Sequence, residues 1–250
     1  MNSSSNERWI ILQARMGSKR LPGKIFKKVL GKTLLEYQIE RLKEIPLIKG
    51  LIVATTQLPQ DDQVALEYER LGVRIFRGDE NDVLSRYTHA AREVGAKEIV
   101  RTTADCPLID PDVIHQMLQH FASLKPDYMS NNRIKTFPHG LDAEVFTSSA
   151  LESAYSADTN AERREHVSGY ITDHPEDFVC ANFANPDDPT GHMNFWQHRW
   201  TVDYPEDFAL IEKILTELYP VNPRFRWKEV CQILDVHPEW TKLNAKYRVH

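Results

Sequence analysis

Apolar residues along this chain alternate between unbroken short runs and runs spaced at three and four. Trp9-Ile10-Ile11-Leu12-Gln13-Ala14 is continuous enough to predict a strand covered on both faces. Leu34, Leu35, Ile39, Leu42 and Ile45 then fall on one helical face. Leu51–Thr56 predicts a second buried strand, Asp61–Leu71 a helix stopped by Gly72, and Val73–Phe76 a third strand. Asp82 is placed to cap a helix carrying Val83, Leu84, Tyr87, Ala90, Ala91 and Val94, which Gly95 closes. Ile99–Thr103 predicts a fourth strand.

Strands alternating with helices in this way predict an α/β fold with a mostly parallel sheet, right-handed crossovers and helices on both faces. Beyond about residue 125 the pattern is mixed. Short strands are expected near Asp127–Asn131, Leu141–Phe146, Phe178–Phe183 and Arg199–Val202, with late helices at Pro205–Leu218 and Trp227–Leu234. No linker-like stretch or internal repeat divides the chain. The expectation is one α/β domain over residues 9–235, a disordered segment over 1–8 and a tail over 236–250. Open parallel sheets bind ligands at the carboxyl ends of their strands, so the loops beginning at Arg15 and Ala104 are the places to look.

Charge and cysteine content narrow the classes. The net charge of −5 argues against a general nucleic-acid or acidic-membrane binder. Cys106, Cys180 and Cys231 stand far apart without metal spacing, which fits packing in a reducing compartment. The polar start at Met1–Glu7 lacks the apolar core of a signal peptide, and no run is long enough to span a membrane. A cytoplasmic protein is expected.

The average charge conceals one segment. From Arg15 to Lys32 there are seven basic residues and no acid. In Ala14-Arg15-Met16-Gly17-Ser18-Lys19-Arg20-Leu21-Pro22-Gly23-Lys24, glycines permit tight turns that aim backbone N–H groups at an anion, while Arg15, Arg20 and Lys24 neutralise phosphate. A solvated loop is the competing reading, above all for Lys19, Lys27 and Lys28. Position at the end of the first buried strand favours phosphate binding. Neither GxxxxGK[ST] nor GxGxxG is present. Asp105 ends the fourth strand facing the same crevice and could hold Mg2+, although an Asx turn or cap before Pro107 is the plainer reading. Asp203 similarly precedes a helix start at Pro205. Asp110 reads as an N-cap and Asp207 as favourable charge in a first helical turn.

Ala-Arg-x-Gly-Ser-x-Arg-Leu-Pro-Gly-Lys resembles the triphosphate loop of the cytidylyltransferases that make CMP-activated acidic sugars, which include the CMP-KDO and CMP-sialate synthetases. Gln13-Ala14-Arg15-Met16-Gly17-Ser18 is most similar to the subgroup called spore coat polysaccharide biosynthesis protein F. The likeness continues through Val53–Thr56, Phe76–Gly78, Asp82–Tyr87, Ala104–Asp110, Gly140–Phe146 and Thr201–Asp207. It implies a single Rossmann-like domain of the nucleotide-diphospho-sugar transferase, or GT-A-like, kind. It further implies CTP as substrate, Mg2+ on Asp105 and Asp203, and catalytic roles for Arg15, Lys24, Asp105 and Asp203. The nucleotide pocket would comprise Ala14, Arg15, Gly17, Ser18, Arg20, Lys24, Arg77 and Asp105, with Arg86 nearby, a surface ion pair being the competing reading for Arg77 and Arg86. Dimerisation is common in that family, so a homodimer is a further expectation.

The acceptor side is less sharply drawn. His139, Asp142 and Glu144 are candidates for binding acceptor hydroxyls or relaying a proton, against a plain loop and edge strand. Arg163 and His166, three apart on an expected helix with Arg164 between them, fit an acceptor carboxylate or phosphate as well as a solvated face. Three positions depart from the family pattern: Ala104 for Gly, His139 for Asp and Tyr204 for Thr. The aromatic segment Pro189–Trp200 reads as packing with acceptor contacts. The leading expectation is a CTP:acceptor cytidylyltransferase releasing pyrophosphate. It would act on an acidic sugar or a phosphorylated or phosphonate metabolite, in surface-polysaccharide biosynthesis. A GT-A-like glycosyltransferase and a non-catalytic nucleotide-binding module are the alternatives. A glycosyltransferase would usually carry Asp-x-Asp, where this chain has Asp105-Cys106-Pro107.

Overall fold

The computed structural model describes residues 7–248. Strand β1 (Arg8–Gln13) is followed by a small antiparallel hairpin, β2 (Lys28–Val29) and β3 (Lys32–Thr33), and by α1 (Leu34–Leu42). Next come β4 (Gly50–Thr56), α2 (Asp62–Arg70), β5 (Arg74–Gly78), α3 (Val83–Val94) and β6 (Glu98–Thr103). The second half holds α4 (Pro111–Leu124), β7 (Tyr128–Ser130), β8 (Glu144–Thr147), α5 (Ser148–Ala157), α6 (Ala161–Arg164), α7 (Gly169–Asp173), β9 (Cys180–Asn182), α8 (Pro205–Leu218) and α9 (Trp227–Val236).

Side-chain chemistry sets the boundaries. Thr33 and Glu36 form a reciprocal capping box on α1, Asp82 Oδ1 accepts the Ser85 N–H at 2.8 Å to start α3, and Asp110 caps α4. The main sheet runs β5-β4-β1-β6-β8-β7-β9. Its first four strands are parallel, β8 is antiparallel to both neighbours, and β9 is parallel to β7. Alternating residues of β1 feed two cores. Ile10 and Leu12 join the cluster under α1, α2, α4, α8 and α9, while Trp9 and Ile11 join the one under α3 and α5.

Four expectations differ in detail. β1 begins at Arg8, whose Nε donates to Glu98 Oε2 at 2.7 Å, so the N-terminal segment is shorter than eight residues, and Met1–Asn6 lie outside the described residues. Arg199–Val202 forms no strand; only a single bridge joins His139 to Arg199, because its backbone pairs with loops, Trp200 N to His139 O at 2.7 Å and Val202 N to Asp105 O at 2.8 Å. The strand expected from Leu141 starts at Glu144. The segment after α9, expected as a tail, packs back through Trp240 and Leu243 on the core, with short turns of 3-10 helix at Trp240–Lys242 and Ala245–Tyr247. All three cysteines are unbridged, and no described helix is long and apolar enough to cross a membrane.

Candidate functional site

The chain leaves β1 toward β4 and β5, then returns to add β6 on the other side of β1. The loops after β1 and β6 therefore diverge and open a crevice between them. Leu21 and Ile25 are buried and nail the first loop to the core, leaving Arg15 and Arg20 exposed. Gly23, at φ +66°, supplies the left-handed turn that starts the 3-10 turn Lys24–Phe26. The loop's first turn is fixed by a residue whose role sequence alone did not indicate. Asp61, fully buried, accepts the Met16 N–H on Oδ1 at 2.6 Å and the Thr56 hydroxyl on Oδ2. Among the described residues, the N–H groups of Gly17, Lys19 and Arg20 have no protein partner. Together with Arg15, Ser18 and Lys24 they border a cavity of about 530 Å³ that reaches Asp105 and Asp203. Lys27 and Lys32 turn away, over Phe208 and onto Glu40 and Tyr219.

Charges converge where this cavity deepens. Lys24 Nζ stands 3.2 Å from Asp105 Oδ2 and 2.9 Å from Asp203 Oδ1, joining two carboxylates 98 positions apart in sequence. Arg20 meets Asp203 Oδ1 at 2.9 Å and Arg199 meets Oδ2 at 2.8 Å. Burial opposes charge on Asp203, but Lys24, Arg20 and Arg199 outweigh it and hold the carboxyl well below the carboxylate range. Asp105 is lowered in the same way, with burial overcome by Lys24 and by the Thr103 hydroxyl at 2.5 Å. Lys24 is held protonated, its burial outweighed by the two acids. Asp207 is more than the favourable helix charge expected of it. Fully buried, it takes the N–H groups of Asp203 and Tyr204 at 2.9 and 3.0 Å and pairs with Arg199 Nε at 3.0 Å.

A second cavity, about 320 Å³, shares Thr103, Asp105 and Asp203 with the first. His139, Asp142 and Glu144 all line it. Gly140, at φ +111°, lies so close to Trp200 and Thr201 that a Cβ would sit 2.7 Å from their backbone, which presses the His139–Asp142 turn onto the Arg199–Thr201 segment. Asp142 Oδ2 accepts the Gly140 N–H at 2.8 Å and stands 3.8 Å from His139 Nδ1, and burial pushes its carboxyl up. Glu144 is different. Arg101, Tyr128 (2.6 Å) and Ser168 (2.5 Å) occupy its oxygens and hold it low against burial, so it reads as a fixed wall rather than a free acid.

Several expected site residues lie elsewhere. Arg163 and His166 border a different cavity, of about 630 Å³, that meets the second one at Asn132 and Glu144. They share no helix face, since α6 stops at Arg164, and Arg163 is spent on Asp158 at 2.8 Å. Arg164 pairs with Asp82, the α3 cap. Arg77 lines neither of the two joined cavities: it clasps Thr56 O and Leu58 O at 2.8 and 3.0 Å and pairs with Asp62. Arg86 is fully buried and donates to Asp79 O at 2.6 Å. Sequence reasoning also passed over Arg101, Lys135 and Arg248, which the fold gathers with Arg199 around the second cavity.

A family described as cytidylyltransferase matches residues 9–229. The spore coat polysaccharide biosynthesis protein SpsF of Bacillus subtilis is 29% identical over 247 residues, covering 94% of this chain and 96% of that protein. A solved cytidylyltransferase from Leptospira borgpetersenii superposes with a TM-score of 0.86 at 31% identity, covering 94% of this chain and 96% of its own. The structure of CMP:2-keto-3-deoxy-manno-octonic acid synthetase complexed with CTP shares the fold, with a TM-score of 0.61 at 16% identity, over 84% of this chain and 99% of its own.

Proposed function

This chain belongs to the cytidylyltransferase family, and on that premise we propose that it transfers CMP from CTP to a small acceptor, with Mg2+ as cofactor and pyrophosphate as leaving group. The acceptor is an acidic sugar or a phosphorylated or phosphonate metabolite, used in surface-polysaccharide biosynthesis. The observation that carries this reading is the Lys24–Asp105–Asp203 cluster at the junction of two cavities, one rimmed by phosphate-type donors and the other by acid and histidine.

The loop N–H groups of Gly17, Lys19 and Arg20, with Arg15, Arg20 and Lys24, neutralise charge building on the departing pyrophosphate. Asp105 and Asp203 suit Mg2+: both are held ionised, and among the described residues no group of three or more acids, histidines or cysteines is placed to hold a metal, leaving coordination positions for water and phosphate oxygens. Bound there, the ion would supply Lewis-acid polarisation of the α-phosphate. The acceptor oxygen, entering from the second cavity, attacks phosphorus as the bond to pyrophosphate breaks. Asp142, raised by burial and facing that cavity, takes the acceptor proton. The family match leaves the glycosyltransferase and non-catalytic alternatives without support.

The test is pyrophosphate release from CTP, UTP, ATP and GTP with Mg2+, against a panel of ulosonic acids, sugar phosphates and alkylphosphonates. Turnover with CTP and one acceptor class is expected; no preference for CTP would overturn the reading.

A further inference from the structure

We infer that Arg248, at the end of the segment following α9, is a specificity-determining residue that binds an anionic group of the acceptor, with Lys135 as its partner cation. This rests on the function proposed above and adds a residue to it. The family match stops at residue 229, so the segment carrying Arg248 lies beyond the part of the chain that the family defines.

The first support is charge accounting around the second cavity. Glu144 is paired with Arg101, Asp203 with Arg199, and Asp105 with Lys24, while Asp142 stands 3.8 Å from His139 Nδ1. Beyond that turn, what remains among the lining side chains is positive: Lys135 is in no ion pair among the described residues, and neither is Arg248. Arg248 donates from one terminal nitrogen to Thr241 O at 2.6 Å, and its Nε is buried with no partner among the described residues. A cavity with three of its acids matched by Lys or Arg, and with two cations in no ion pair among the described residues, favours a ligand that brings its own negative charge.

The second support is rigidity. Asn244, almost fully buried, donates from Nδ2 to both Arg199 O and Asp207 Oδ1 at 2.8 Å, and Tyr247 stacks on Tyr204 with ring centroids 3.7 Å apart. The segment is thus tied to the same helix start that orients Asp203. Arg248 is delivered to the cavity wall at little further entropic cost. A carboxylate and a phosphoryl or phosphonyl group share the oxyanion chemistry that a guanidinium grips.

The experiment compares wild type with Arg248→Gln, Arg248→Lys and Lys135→Gln. Calorimetry with Mg·CTP comes first, then steady-state pyrophosphate release with a ulosonic acid, a sugar phosphate, an alkylphosphonate and the methyl ester of the ulosonic acid. The acidic arms separate the sources of the anion. The expected result is a rise of about 10- to 100-fold in acceptor KM for Arg248→Gln, partly restored in Arg248→Lys, with CTP affinity kept within about twofold. Unchanged acceptor KM in Arg248→Gln, or equal turnover of acid and ester, would overturn the inference. Failure of wild type to bind CTP would overturn the underlying function instead.

Discussion

Lys24 neutralises two carboxylates at once, so the consequences of its neighbours' titration are shared. Asp105 and Asp203 have folded pKa values below their unfolded ones, so the stability they confer is complete above the ordinary carboxylate range near 4 and is lost as pH falls through their lowered values. Asp142 has the opposite sign. Its raised value means that it favours the fold below about pH 4 and withdraws that contribution as pH rises through its folded value. Asp142→Asn should therefore melt higher than wild type at pH 7, with the gap closing toward pH 4, while turnover falls and loses its acidic pH limb. Thermal melts and a pH–rate profile check both arms; a lower melting point at pH 7 would show that the ionised carboxyl is structurally required. Asp203→Asn, which removes a charge gripped by three cations, should cost more than about 100-fold in turnover, exceeding the loss seen for groups that only orient a ligand. At this scale the sequence singled out basic side chains after a buried strand and an acid at a strand end, and the structure brings Lys24 and Asp105 together. The sequence was uninformative for Arg77, whose guanidinium is consumed by two backbone carbonyls and Asp62.

Elements whose limits are set by local chemistry could be read from the chain, and α3 is the clearest case, running from the Asp82 cap to Gly95 at φ +63°. The Arg199–Val202 segment could not, because β-branched and aromatic residues suggested a strand while its partners are the loops at His139 and Asp105. The start of α8 shows why this matters. Asp207 looked like an ordinary first-turn acid, yet it holds two backbone N–H groups, Arg199 and Asn244. Asp207→Ala should lower unfolding free energy by about 3–5 kcal/mol, since Arg199 is left buried with a weaker counter-charge, and urea titration reads this directly. Asp61 does the same for the loop after β1 from the start of α2. Asp61→Ala should raise the KM for CTP about tenfold with a smaller change in the acceptor KM, because it loosens the Met16 turn and leaves the second cavity intact. Equal shifts in both constants would place Asp61 in general stability rather than loop positioning.

Across the whole molecule, the parallel half and the mixed half each furnish one cavity, and the two meet at Thr103, Asp105 and Asp203. The parallel half was legible because strand order alone fixes where its crevice opens. The second cavity was not: its wall is assembled largely from Asn131–Lys135, His139–Glu144, Trp196–Arg199 and Arg248, four segments that share no sequence periodicity. This division makes a kinetic prediction about location. Ser18 borders only the first of the two cavities and His139 only the second. Ser18→Ala should raise the KM for CTP by roughly 3- to 10-fold, the worth of one hydrogen bond, and leave the acceptor KM in place. His139→Ala should do the reverse. Thr103 donates to Asp105 and borders both cavities. Thr103→Val should lower kcat while both KM values stay within about twofold, since a less firmly oriented carboxylate weakens what happens at phosphorus more than what happens at either end. Cross-over of the Ser18 and His139 effects would mean that nucleotide and acceptor occupy the opposite cavities, and the direction of CMP transfer through the Asp105–Asp203 junction would have to be reversed.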